Sequence, residues 1–452
     1  MKSELRGSSF LIVGLGREGK SVYTFLRKRF PDARIGIADR QPIPDSFTSC
    51  ANTQLYQGDL YLSGCGEYDT IIRSPGVSLR EIAPHITPRN HVTSASNIFF
   101  SECPGVTIGI TGTKGKSTTA SLIASILKRK FSDTRLVGNI GTPMLDYLEG
   151  ATPTTHFVIE LSSYQLEDLR VSPRVAVLLN IVPEHLDYHG GFEPYCTAKS
   201  SIFCHQKPDD LLIYNRSFPL LDELARDTRC IHQSFSEKDD PESLTSIEQG
   251  RIRLIQNGIT EDIIGLGELP IIGPGNLQNV LAAITCGASL GVPPEKIREG
   301  ILSFKPLEHR LELVGEYRGI RFYNDSLSTT PEALTHAIVA LGPDVETVIA
   351  GGFDRGVDMT SLGPVLANST IRTLILFPTT GQNIWDAVQA ADPNTIIRRI
   401  HVSTMEDAVR EAYSRTRPGK ICVLSPAASS FSLFRDYRER GEKFKEVVRC
   451  LA

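Results

Sequence analysis

Short apolar runs recur along the chain, and most are apolar at nearly every position rather than at alternate ones. FLIVG (10–14), RIGIAD (34–39) and YDTIIRSPG (68–76) come first. TIGITG (107–112), HFVIELSS (156–163), VAVLLNI (175–181) and DLLIYN (210–215) follow, and VETVIAGG (345–352), RTLILFP (372–378) and KICVLSPA (420–427) close the series. A run apolar throughout suits a parallel strand whose sheet is covered by helices on both faces. The intervening stretches carry helical spacing: in SLIASILKRK, Ile123 and Leu127 stand four apart, on one face of a crossover helix. The alternation predicts an α/β protein built on parallel sheets. RIRLIQ (251–256) and ELPIIG (268–273) are expected to interrupt it with a small antiparallel patch.

At 452 residues the chain exceeds one ordinary core, and at roughly 150 residues per domain it predicts three. Pro and Gly in SECPGV (101–106) and the restart of alternation after SFKPLEHR (303–310) put the boundaries at 1–102, 103–307 and 308–452. With 48 basic and 52 acidic residues the net charge is −4, which gives no electrostatic basis for binding nucleic acid or an anionic membrane. No apolar run reaches the ~20 residues of a bilayer span, so membrane insertion is not expected. MKSELRGSSFLIVG lacks a signal-peptide layout, so the cytoplasm is the expected compartment. The nine cysteines are scattered without a CxxC pair, which reads as reduced thiols rather than a disulfide or zinc framework.

Two glycine loops carry the candidate chemistry. In TIGITGTKGKSTTASLIASIL (107–127) a strand ends and a helix begins at about Lys116, with Gly112, Thr113, Lys114, Gly115, Lys116, Ser117 and Thr118 between and just after. Free N–H groups at a helix start, added to its dipole, favour phosphate. Lys116 can reach β/γ-phosphates, and the Ser117 hydroxyl can ligate Mg²⁺. The glycines stand at 109, 112 and 115, a GxxGK[ST] variant of the usual phosphate loop. The bland alternative is a Gly-rich turn with a surface lysine. The second loop, Gly14-Leu15-Gly16-Arg17-Glu18-Gly19, is a GxGxxG turn between strand and helix, with Asp39 at the end of the next strand. Alone it suggests a dinucleotide and a Rossmann-type oxidoreductase, but the same turn holds any diphosphate.

GITGTKGKSTTA, VGNIGTP, VIELSSYQLE, NIVPEHLDYH and the lysine of YCTAKSSIF stand in an order that resembles the Mur ligases. The resemblance continues through GPGNLQNVLAA, LEHRLE, YNDS, GGFDRG and LSPAASSFSLFRDYRERGEKF, and so covers essentially the whole chain. GLGREG with SPGV (74–77) is similar to the glutamate-adding branch. The resemblance implies three domains: an N-terminal Rossmann-like one for UDP, a central P-loop ATPase-like one, and a C-terminal Rossmann-like one for glutamate. It implies an ATP-dependent amide ligase of peptidoglycan precursor synthesis, expected as a monomer, that joins D-glutamate to UDP-N-acetylmuramoyl-L-alanine through an acyl phosphate. L-glutamate is the alternative acceptor.

The same resemblance assigns residues. Gly14, Leu15, Gly16, Arg17, Asp39, Ser74, Pro75 and Gly76 would hold UDP. ATP would meet the phosphate loop, Asn276, Asn279, Arg310 and Asp325. Ser117 and Glu160 would bind one Mg²⁺, and His185 and a Lys199 carbamate formed from CO₂ would serve a second. Asn139 would sit near the acyl-transfer centre, and Arg355, Ser430, Tyr437 and Thr329 would take glutamate. From the residues alone Glu160 could equally cap the following helix, His185 could be structural and Lys199 could be a solvated helix lysine. Gly275 stands where relatives often carry His. Leu327, in Asp325-Ser326-Leu327-Ser328-Thr329-Thr330, replaces the lysine of the common DSKATN motif and removes one possible ionic anchor. Folylpolyglutamate synthases share the ATPase module but lack an N-terminal UDP-binding domain. A non-catalytic homologue would have no need of Lys116, Glu160, His185 and Lys199 together.

Overall fold

The computed structural model describes residues 4–47, 52–139, 142–256, 258–271, 273–431 and 433–452. These residues form two compact units, 1–269 with 276–304, and 270–275 with 305–452.

The first unit holds two sheets. Strands Ser9–Val13 (β1), Arg34–Asp39 (β2), Thr53–Gln57 (β3), Thr70–Arg73 (β4) and His91–Ser94 (β5) form a parallel sheet in the order β3-β2-β1-β4-β5. The order reverses direction between β1 and β4, and the crevice at such a reversal is where α/β sheets place ligands. The helix Arg17–Arg29 follows β1 directly. Glu18 lies in its first turn and Arg27, Lys28 and Arg29 in its last, the distribution that its dipole favours.

The second sheet has the order β14-β13-β12-β11-β10-β9-β6-β8-β7. Its strands are Val106–Thr111 (β6), Thr134–Gly138 (β7), His156–Glu160 (β8), Val175–Leu178 (β9), Leu211–Asn215 (β10), Ile231–Phe235 (β11), Thr245–Glu248 (β12), Arg251–Gln256 (β13) and Ile259–Gly265 (β14). β8 and β9 are buried at every position, as suits the apolar runs FVI and VAVL that they carry. The sheet is parallel except for β12–β13 and β13–β14. RIRLIQ therefore does form an antiparallel patch, but with ITEDIIG rather than with ELPIIG. Pro270 lacks the N–H that a ladder needs, and Ile272 lies outside the described residues. One continuous core joins the two sheets of this unit, with Phe99 edge-on to Phe157 at 5.2 Å.

The second unit has Glu312–Tyr317 (β15), Ile320–Asn324 (β16), Val345–Gly351 (β17), Thr373–Phe377 (β18), Arg398–His401 (β19) and Ile421–Leu424 (β20), ordered β15-β16-β20-β17-β18-β19. Only the β15–β16 pair is antiparallel. Apolar clusters cover both faces of this sheet. The α/β class with mainly parallel sheets is thus observed. Among the described residues no helix is long and apolar enough to cross a membrane.

Candidate functional site

Four neighbouring strands of the nine-stranded sheet, β9, β6, β8 and β7, end at one edge, and the phosphate loop leaves β6 there. Gly115 caps the helix Lys116–Leu127 with φ +88°, and a Cβ on it would lie 2.2 Å from Asn279 Oδ1. Glycine is required at that position both for the left-handed backbone and for the close approach. Asn279 Oδ1 also accepts from Thr119 Oγ1 (3.0 Å), and its Nδ2 donates to Asn276 Oδ1 (3.0 Å). The two asparagines expected near ATP therefore brace the loop from behind. Asn180, just past β9, holds it from the side: its Oδ1 accepts from Lys114 N (2.9 Å), and its carbonyl accepts from Thr113 N (2.9 Å). The sequence reading missed Asn180. A polar residue directly after the apolar run VAVLL was the available signal.

Lys116 Nζ donates to the carbonyls of Gly112 (2.9 Å) and Thr113 (3.0 Å). Lys199 Nζ donates to the same Gly112 oxygen at 2.7 Å. Lys199 is only 1% exposed and lies over the Tyr195 ring at 4.9 Å. Burial first, then the neighbouring Lys116 ammonium, hold its pKa well below the usual lysine value. This excludes the solvated-lysine reading. Lys114, by contrast, is exposed and pairs with Glu184 at 2.6 Å.

Glu160 ends β8 and is 1% exposed. Its Oε1 accepts from Asn139 Nδ2 at 2.8 Å, and its Oε2 is buried without a hydrogen-bond partner. A buried carboxylate oxygen with no partner is costly unless a ligand completes it. The helix-capping alternative fails, because Ser162 and Gln165 form the capping box of Ser163–Leu166. A hard cation fits the free oxygen, with the Ser117 hydroxyl at the helix start as a second donor. His185 opens α-helical residues Leu186–His189 with φ +56°, and its ring lies 5.1 Å from that of Tyr164. Partial burial, opposed by Glu184 and reinforced by Lys116, Lys114 and Lys199, lowers its pKa and favours the neutral imidazole that can ligate a metal.

At the crevice of the five-stranded sheet, Gly14 has φ +90° and a Cβ there would meet Ser74 Cβ at 2.9 Å. Ser74 Oγ donates to Gly14 O (2.6 Å), and Leu15 N donates to Asp39 Oδ2 (2.6 Å). Gly14 to Arg17, Asp39 and Ser74 to Gly76 are thus gathered at the ends of β1, β2 and β4. Asp39 spends one oxygen on the turn itself and the other on Gln41 N at 2.8 Å.

In the second unit the loops after β16, β17 and β20 adjoin. Arg440, 1% exposed, donates to Ser326 Oγ (3.0 Å), Ser326 O (2.8 Å) and Ala428 O (3.0 Å), tying the 325–330 loop to the 427–430 loop. Ser326 Oγ donates to Tyr437 O at 2.8 Å, and Phe353 N donates to Ser429 O at 2.9 Å. Arg355 lies over the Phe431 ring at 5.2 Å, beside buried Ser430. Arg355, Ser430, Tyr437 and Thr329 are therefore on connected loops. Arg440 was missed, since nothing in RERGEKF separates it from the helix's exposed basic residues.

Arg310 and Asp325 lie in this second unit as well. Burial raises the Asp325 pKa from 3.8 to about 6, against hydrogen bonds from Ser328, Ser425 and Leu311 N. A carboxyl whose folded pKa lies above its unfolded value destabilises the fold above pH 6 and progressively less down to pH 3.8. Asp325→Asn should therefore raise stability by about 2 kcal/mol at pH 7.5 and by less at pH 5. Urea unfolding at both pH values checks this; a gain that grows on acidification would contradict it.

Residues 110–287 match the Mur ligase middle domain, and residues 309–428 match the Mur ligase glutamate ligase domain. The chain is 35% identical to a UDP-N-acetylmuramoylalanine–D-glutamate ligase of Desulfitobacterium hafniense, over 98% of each chain. Among solved structures it resembles a UDP-N-acetylmuramate–alanine ligase from Thermotoga maritima (TM-score 0.60, 15% identity, 98% of this chain and 100% of that one). It also resembles a MurF ligase from the same organism in complex with ADP (TM-score 0.58, 17% identity, 99% and 96%). Those two likenesses speak for the fold, while the full-length identity speaks for descent: the chain belongs to the Mur ligase family.

Proposed function

We propose that this chain is an ATP-dependent ligase that adds D-glutamate to UDP-N-acetylmuramoyl-L-alanine, acting as a cytoplasmic monomer in peptidoglycan precursor synthesis. The observation that carries the reading is the meeting of Lys116 and buried Lys199 on one carbonyl of the phosphate loop. Two ammonium groups on one acceptor repel each other, and burial makes the inner one the easier to deprotonate. A neutral Lys199 can take up CO₂, and the resulting carbamate turns a misplaced cation into an anion.

In this reading residues 1–102 are a Rossmann-like domain whose Gly14–Arg17 turn, Asp39 and Ser74–Gly76 hold the UDP portion. Residues 103–307 are a P-loop ATPase-like domain, and residues 308–452 are a Rossmann-like domain that binds glutamate. Glu160 and Ser117 would hold one Mg²⁺, and His185 with carbamylated Lys199 a second. When bound, the ions neutralise the repulsion between a carboxylate and a triphosphate. The loop N–H groups and Lys116 hold the ATP phosphates; the resemblance also assigns Asn276, Asn279, Arg310 and Asp325 to the nucleotide. The alanyl carboxylate oxygen attacks the γ-phosphorus, the bond to the β-phosphate oxygen breaks, and ADP leaves. The amine of glutamate, held by Arg355, Ser430, Tyr437 and Thr329, attacks the acyl carbon. The C–O bond to phosphate then breaks and the amine loses a proton. Asn139 lies beside Glu160, where it can orient the acyl group. The fork of Arg355 suits bidentate capture of a carboxylate.

ADP release should require nucleotide sugar and glutamate together. Release with neither, or nicotinamide fluorescence changes on titration with NAD(P)H, would favour a different enzyme class.

A further inference from the structure

The GxGxxG turn and the metal-binding carboxylate are joined by a closed circuit of hydrogen bonds. Glu18, in the first turn after Gly16, accepts from Gln165 Nε2 at 2.5 Å. Gln165 is 2% exposed, and its Oε1 accepts from Ser162 N (2.9 Å) and Ser162 Oγ (3.1 Å). Ser162 stands two residues after Glu160 on the same stretch of chain. On the other side Arg17 Nη2 donates to Asn139 O at 3.3 Å. Asn139 N donates to Glu160 O (3.0 Å), and its Nδ2 donates to Glu160 Oε1 (2.8 Å). Two adjacent residues of the turn thus grip the end of β8 from both sides, and the circuit closes on the carboxylate whose second oxygen is free.

Other ties cross between these two sheets without reaching Glu160. Arg73 pairs with Asp168 at 2.8 Å, and Ser21 Oγ donates to Asp146 Oδ1. Tyr188, three residues after His185, donates its hydroxyl to Pro75 O at 3.2 Å, but among the described residues it is the Arg17–Glu18 pair that leads from the GxGxxG turn to Glu160.

We propose that Glu18 and Arg17 are positioning residues that couple occupancy of the nucleotide-sugar site to the geometry of Glu160. The inference rests on the functional reading above. A diphosphate received by the N–H groups at the helix start, Gly16 to Glu18, settles the start of the helix Arg17–Arg29. The Glu18–Gln165 bond then fixes the Ser162 turn, and Arg17 fixes Asn139, so that the Glu160 carboxylate is presented in one orientation. Coupling of this kind is reciprocal.

Titration calorimetry of Mn²⁺–ADP, with and without saturating UDP-N-acetylmuramoyl-L-alanine, tests it on the full chain. In the unaltered protein the nucleotide sugar should tighten Mn²⁺–ADP binding by about fivefold or more, the lower range of typical coupling. Glu18→Ala and Gln165→Ala should each reduce that ratio to within about twofold, and the double variant should lose no more than either. Glu18→Gln keeps an acceptor for Gln165 and should keep the ratio. A merely structural role would weaken both affinities and leave their ratio intact. Unaltered protein that binds the nucleotide sugar without any change in Mn²⁺–ADP affinity overturns the inference alone, as does a Gln165→Ala variant that keeps the ratio. Failure to bind the nucleotide sugar at all overturns the functional reading and this inference with it.

Discussion

Lys116→Ala should abolish ATP turnover, with a loss of about 1,000-fold or more in kcat, roughly 4 kcal/mol of barrier. Lys116 is placed by the helix start at Gly115 and by the two loop carbonyls its ammonium bonds, so the charge is aimed before any ligand arrives. The GxGxxG turn proposed to hold UDP is built on a different sheet, and its contacts with Ser74 and Asp39 do not involve the phosphate loop. Nucleotide-sugar affinity should therefore change by no more than about threefold, since truncating one side chain far from a site is felt there weakly. Calorimetric titration beside a coupled ADP assay separates the two. Equal loss of both would contradict a chain with two separate diphosphate sites.

Lys199→Arg should be nearly as damaging, below about 1% of activity, or about 3 kcal/mol. Charge is kept, so a role as a simple cation would survive the change. A guanidinium stays protonated at any working pH and forms no carbamate. It would also place a permanent charge in a position that is 1% exposed and already faces Lys116. Carbon-13 NMR after incubation with labelled bicarbonate should show one carbamate in the unaltered protein and none in the variant. An arginine variant that retains a tenth of the activity would contradict the carbamate.

The strands that the sequence made legible are those buried on both faces, such as HFVIE and VAVL, where composition alone overrides every alternative. Those it hid are edge or half-buried: Thr53–Gln57, Arg398–His401 and Ile259–Gly265. The last had a usable signal, since Asn257-Gly258 is the residue pair a two-residue hairpin favours. Site residues tied to a local motif, such as Lys116 after Gly115, could be read directly. Lys199 and His185 were named through family likeness, because nothing in YCTAKSSIF announces a lysine buried against a loop 87 positions away, and nothing in EHLDYH sets His185 apart from His189. Arg440, Asn180 and Gln165 were not read at all. Their work is to hold loops from a distance, and that depends on strand order rather than on neighbours in sequence.

Handedness of the acceptor touches the account at its centre. Leu327 stands where the DSKATN motif that this loop resembles has lysine, and its backbone N–H donates to His309 O at 3.0 Å. Thr329 offers a hydroxyl in the same loop, and Arg355 and Ser430 are the polar anchors proposed for glutamate. The two enantiomers present the same groups in mirrored order, so a site with fixed anchors leaves buried polar groups unpaired with the wrong one, at a cost of several kcal/mol. The decisive measurement is kcat/KM for D- and L-glutamate with ATP and UDP-N-acetylmuramoyl-L-alanine, with the product identified by mass spectrometry. The account predicts one amide product and one ADP per turnover, with D-glutamate preferred by at least about 100-fold. A preference for L-glutamate, or ATP cleavage without amide formation, would contradict it.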